Sequence, residues 1–158
     1  MQNKYLWISE ILWWTGSVVA GIIVVWPYYP ALIVEVPFLV PNVILAVLAV
    51  QCFRLTFLLR QSVFALNRWI VFLLCFAFIP IGMYAVRQYS EMSQFFTTSS
   101  NWMHSFSYLM TLSEKSELAS YIRIEFTWCA VIAFMAGIAM SGKMFVTSWR
   151  ILGDRGKF

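Results

Sequence analysis

A basic joint between two charge-free apolar runs constrains this chain more than any other feature. The joint reads Arg54-Leu-Thr-Phe-Leu-Leu-Arg60-Gln-Ser-Val-Phe-Ala-Leu-Asn-Arg68. Before it, Pro41 to Phe53 carries no charge; after it, Trp69 to Val86 carries none either. A helix needs roughly 20 mainly apolar residues to cross the hydrocarbon of a bilayer. Arginines beside a membrane span mark its cytoplasmic side. The joint therefore reads as a cytoplasmic turn between two spans.

Composition agrees. Hydrophobic residues make up 61% of the 158 residues, and charged residues only 11%, against roughly 25% in a soluble domain. Mean hydropathy is +0.76. A water-soluble fold of this size has no interior large enough to hide that much apolar surface. The apolar runs are continuous rather than alternating, which argues for helices and against a barrel. The class expected is an all-α integral membrane protein.

Four spans are expected, at about 5–26, 41–59, 69–86 and 122–149, forming one transmembrane domain over 1–158. The first run is read as a retained span, because no small-x-small cleavage site follows it. Pro27 and Pro30 end it. Residues 31–40, broken by Glu35 and Pro37, read as a connection in the interface. Pro41 suits the first turn of the second helix. Pro80 and Gly82 predict a kink in the third. Residues 88–120 read as a polar outer loop, with a link at 97–101 and aromatic short helices on the membrane or on a partner.

Charge then sets orientation. Lys4, the joint, Lys143, Arg150, Arg155 and Lys157 fall on one side, and Arg87, Lys115 and Arg123 on the other. The positive-inside rule puts both termini and the joint in the cytoplasm. A bacterial inner (plasma) membrane fits this character, and an organellar membrane fits it as well.

Two stripes of small residues stand out: Gly16, Ala20 and Gly21 on the first span, and Cys129, Ala133, Gly137 and Ser141 on the fourth. Small side chains let helix backbones approach closely in lipid. Either stripe serves as an oligomer interface or as packing within the bundle. Glu10, Gln51, Arg54 and Lys143 form an expected polar patch within apolar helices. Ionisable groups in such a place are costly and often functional; structural pairing is preferred here to a conduction path. Arg60, Arg68, Arg150, Arg155 and Lys157 make a basic cytoplasmic face for anionic lipid or an acidic partner.

Other chemistry is poorly supported. The net charge of +4 is spread over segment ends, which does not point to nucleic acid. Three cysteines, Cys52, Cys75 and Cys129, lie apart in apolar runs and read as small buried hydrophobes. His104 is the sole histidine, so bis-histidine haem ligation by this chain alone is excluded by count. No phosphate loop or catalytic triad pattern appears. No metal or cofactor is expected, and the expected role is non-enzymatic. The chain reads as a multi-pass subunit that oligomerises in the bilayer, anchors or senses for a larger complex, and docks a soluble partner on its basic face. The alternative is a small oligomeric channel, such as a membrane effector of a defence or immunity system.

Overall fold

The computed structural model describes residues 2–32, 38–59, 62–97 and 102–153. Among them five α-helices follow one another: α1 (Gln2–Val25), α2 (Leu39–Leu58), α3 (Arg68–Leu74), α4 (Phe78–Thr97) and α5 (Leu112–Gly153). Short 3-10 turns lie at Tyr29–Ala31, Val63–Leu66 and Trp102–Ser105. The described residues are all-helical; the one extended pairing is an isolated bridge between Leu32 and Phe106. Helices α1, α2 and α5 are each long and apolar enough to cross a membrane, and α3 with α4 makes a fourth such segment if the bent pair is counted as one.

Local chemistry sets the helix ends. α1 stops at Val25, just ahead of the Trp26-Pro27 step, because proline disfavours helix in the residue before it. In α2, Pro41 lies in the first turn, where no N–H is needed. The Ser62 hydroxyl accepts from the Phe64 N–H, and the Asn67 side-chain oxygen Oδ1 accepts from the Trp69 N–H to cap α3.

The third expected span is not one straight helix. It breaks at residues 75–77, and α3 and α4 meet at 42°. The expected kink at Pro80 and Gly82 thus falls one turn earlier. A proline ring clashes with the carbonyl four residues back, which here is Phe76. That carbonyl is taken instead by the Ile79 N–H at 3.1 Å.

Two other expected boundaries also move. The outer loop shrinks: 88–97 are helical in α4, and α5 begins at Leu112. The reason is a buried, mainly apolar stripe inside a polar stretch. Gln88, Met92 and Phe96 are buried at spacings of four along α4, and Ala119, Ile122 and Phe126 carry the α5 stripe. The joint also starts later than Arg54, because α2 runs on to Leu58. Glu35, Pro37, Arg60, the link at 98–101, Arg155 and Lys157 lie outside the described residues.

α5 is the central strut, packed against α2, α3 and α4, whereas α1 leans mainly on α2. Two apolar cores result. One centres on Cys52, Leu55, Val71, Ile81, Met140 and Met144. The other is an aromatic cap around Phe38, Phe96, Phe106 and Phe126. Phe38 packs on Phe95 and Phe96 with ring centroids 5.4 Å from each, and Trp102 bridges Phe96 and Phe106 at 6.0 Å. Of the aromatics expected to lie on a membrane or partner, Phe95, Phe96, Trp102 and Phe106 pack on one another or on Phe38, while Tyr89 and Tyr108 stay exposed. A bond from the Ser107 N–H to the Ala31 carbonyl ties the two loops of this cap together.

Candidate functional site

Two polar clusters are built into the apolar bundle, one in each core region. The first joins α1, α2 and the joint. Glu10, Trp13 and Ser17 follow one another at three- and four-residue steps and so share a face of α1. Gln51 and Arg54, three apart on α2, meet that face. Arg54 grips Glu10 in a two-pronged pair: Nη1 donates to Oε1 at 2.8 Å and Nη2 to Oε2 at 2.7 Å. Both side chains are almost fully enclosed, at 1% and 8% exposure.

The remaining groups close the cluster. Arg54 Nη1 also donates to Gln51 Oε1, and the Trp13 ring faces the guanidinium at 5.6 Å. Gln51 Nε2 donates to the Ser17 hydroxyl and to the Trp13 carbonyl. Glu10 accepts two further bonds from the joint, from the Ser62 hydroxyl at 3.2 Å and the Val63 N–H at 3.3 Å. A planar fork matched to a carboxylate gives geometric specificity as well as energy. This cluster fixes the tilt of α1 on α2 and pins the chain after α2 against both.

Glu10, Gln51 and Arg54 thus come together. Lys143 stands apart from them: it is exposed, on α5, between the buried Met140 and Met144. Its neighbours on the buried face are apolar, so its amine turns outward.

The second cluster is not legible as a unit in the sequence. It gathers Tyr28 from the turn after α1, Asn42 from α2, and Glu125 and Cys129 from α5. Asn42 Nδ2 donates to Glu125 Oε2 and to the Tyr28 hydroxyl, the latter at 2.8 Å. Cys129 Sγ donates to Glu125 Oε1 at 3.2 Å. Tyr28 and Asn42 are fully buried, and Asn42 Oδ1 has no partner among the described residues. Unlike Glu10, Glu125 is held by neutral donors alone; the ion pairs among the described residues are Arg54–Glu10 and Arg87–Glu91. Two signals mark this cluster in the sequence: Glu125 and Cys129 are four apart on one helix face, and Asn42 opens an otherwise apolar run.

The small residues have separate placements. A Cβ on Gly21 would lie 3.0 Å from Val43 Cγ1 and 3.1 Å from its carbonyl oxygen, so α1 and α2 touch closely there. Ala20 is half-buried, while Gly16 faces outward with nothing near it. On α5 the stripe turns inward. Cys129 meets Glu125, Ala133 is fully buried, and Gly137 packs against Phe78 and Ile81. Ser141 bridges the break in the third segment: its hydroxyl donates to the Leu74 carbonyl at 3.1 Å and accepts from the Phe78 N–H at 3.3 Å. That one hydroxyl takes up the Phe78 N–H and adds a second bond to the Leu74 carbonyl, which also accepts from the Ala77 N–H at 3.2 Å.

Arg68 and Arg150 are exposed. Glu10, near the start of α1, bonds the joint after α2, and Ser148, near the end of α5, approaches Cys75 at 3.7 Å. His104 is exposed in the Trp102–Ser105 turn. Among the described residues no group of three or more His, Cys, Asp or Glu is placed to hold a metal ion. No family model matches the chain, and neither a curated protein nor a solved structure is detectably similar to it.

Proposed function

We propose that the chain is a non-enzymatic, four-span membrane subunit that assembles with a neighbouring transmembrane protein and presents a basic cytoplasmic end to a soluble partner. One observation carries this reading. Glu10, Arg54 and Gln51 are engaged with one another, although Arg54 Nε has no partner among the described residues, so they act as a lock rather than as a lined path. A bidentate ion pair whose carboxylate takes two further hydrogen bonds offers little to a permeating ion.

Two further features support assembly. α1 leans mainly on α2, and its outward side carries exposed Ile8, Ile11, Leu12, Val19 and Ile23. A shallow groove of about 520 Å³ runs there along Tyr5, Ile8, Ser9, Leu12, Trp13 and Gly16. Gly16 would let a second helix approach closely, whether from another copy or from a different membrane protein. Arg68 and Arg150, with Arg60, Arg155 and Lys157 close by in sequence, supply the basic face.

Extraction in a mild detergent followed by native mass spectrometry tests the reading. A stoichiometric complex with a second membrane or cytoplasmic protein, weakened by Gly16→Trp, is the expected result. A lone monomer from native membranes overturns it. If the chain instead forms a homo-oligomer whose liposome ion flux is abolished by Arg54→Gln, the channel reading takes its place.

A further inference from the structure

The seam between α4 and α5 holds a groove that the two polar clusters do not reach. Its inner section, about 810 Å³, is lined mainly by apolar residues, Phe78, Met83, Val86, Ala130 and Phe134 among them, and by Arg87, whose guanidinium is paired with Glu91. That volume falls within the range of ligand pockets, roughly 300–1,000 Å³. Small residues open it. Gly82, Ala85 and Ala130 remove side-chain bulk along the seam. Gly82 also lets the Phe134 ring lie over α4, because a Cβ there would lie 2.7 Å from the ring.

A second section, about 420 Å³, continues toward the loop end of the same helices. Tyr89 and Thr127 line both sections, so they join end to end. The character changes at that point. Beyond it the lining includes Ser93, Ser120 and Arg123. Arg123 belongs to neither ion pair found among the described residues. Thr127 turns its hydroxyl back to the Arg123 carbonyl at 2.7 Å, which leaves the inner section without that donor.

An apolar slot that ends in a guanidinium and two hydroxyls matches a molecule with an acyl chain and an anionic phosphate. Water does not fill the apolar slot favourably, because it finds no polar partners there. The groove is open at the surface, where Met83, Val86 and Val131 are exposed, so a lipid chain can enter it from the side. A guanidinium fits a phosphate through two parallel N–H bonds. We infer that the α4–α5 groove holds one anionic phospholipid, with an acyl chain along Met83, Val86, Ala130 and Val131 and the phosphate at Arg123, Ser93 and Ser120.

Native mass spectrometry of the chain in nanodiscs of mixed phosphatidylglycerol and phosphatidylcholine, released by collision, tests this. The wild-type chain is expected to keep one phosphatidylglycerol in preference to phosphatidylcholine. Arg123→Gln should abolish the preference but leave one lipid of either kind. Val131→Trp, which fills the exposed side of the inner slot, should remove the retained lipid, with helicity and thermal unfolding by circular dichroism as the control for folding. Retention equal in wild type and Val131→Trp overturns the inference. So does a phosphatidylglycerol preference that survives Arg123→Gln. A fall in dimer rather than in bound lipid on Val131→Trp also overturns it, and would assign the groove to a second copy.

Discussion

Arg54 and Glu10 illustrate why a charge inside a membrane bundle is governed by its partner. Each is buried, and each would be destabilising alone. Breaking a buried pair by removing one member typically costs about 3–5 kcal/mol, because the other charge is left uncompensated, while replacing both by apolar residues of similar volume costs far less. Glu10→Met and Arg54→Met are therefore each expected to lower the unfolding midpoint in detergent strongly. The double variant should recover most of that loss, and a denaturant titration of the three variants reads the coupling directly. Asn42 makes a contrasting case. It donates to both Tyr28 and Glu125. Asn42→Ala removes both bonds and leaves a void, and an unsatisfied buried group costs about 1–3 kcal/mol. A drop of that order is expected in the same titration, and no change would show that the cluster contributes nothing to stability.

Among the helices, glycine position decides effect more than glycine identity. Gly21→Leu must push α1 off α2, because even a Cβ reaches the Val43 backbone; overpacking of this kind costs about 1–3 kcal/mol. Gly16→Leu meets nothing within 4 Å and should leave the isolated chain's thermal midpoint nearly unchanged. Equal midpoints for the two variants would contradict the α1–α2 contact. The same elements show how far a sequence can be read. The long apolar helices are legible because about 20 apolar residues in a row have few other uses, and Glu10 with Arg54 is legible because opposite charges in apolar helices seek each other. The helical course of 88–97 is hidden by its polar outward face, although Gln88, Met92 and Phe96 keep the inner stripe. Tyr28, Asn42 and Glu125 are hidden for another reason. Their bonds cross 83 and 97 residues of chain, and no local pattern reports which distant segments a helix bundle brings together.

At the scale of the whole molecule, helix length and charge placement together predict which parts leave the bilayer. α5 has 42 residues, roughly 60 Å at 1.5 Å per residue, about twice the hydrocarbon thickness. One end must project well beyond the core. Its N-terminal turns carry Glu114, Lys115 and Glu117 and pack into the aromatic cap, whereas the stretch from Phe126 to Met140 has no charge at all. The cap is the end expected to project, because residues 112–125 carry five charges and 141–153 only Lys143 and Arg150. Arg54 no longer counts toward orientation, because it is engaged by Glu10. On the proposed four-span topology the bias survives without it: Lys4, Arg60, Arg68, Lys143, Arg150, Arg155 and Lys157 would outnumber Arg87, Lys115 and Arg123. Single-cysteine labelling checks this in intact cells. With Cys52 and Cys75 changed to Ala and Cys129 to Ser, which keeps a donor for Glu125, a membrane-impermeant maleimide should modify Tyr108→Cys from outside. Tyr108 is 77% exposed at the cap. Lys4→Cys and Arg150→Cys should react only after the membrane is opened, and to the same extent as each other. If Arg150→Cys reacted from outside while Lys4→Cys did not, the α3–α4 pair would not complete a span. The basic end would then be divided between the two faces of the membrane, and no single cytoplasmic partner could dock on it.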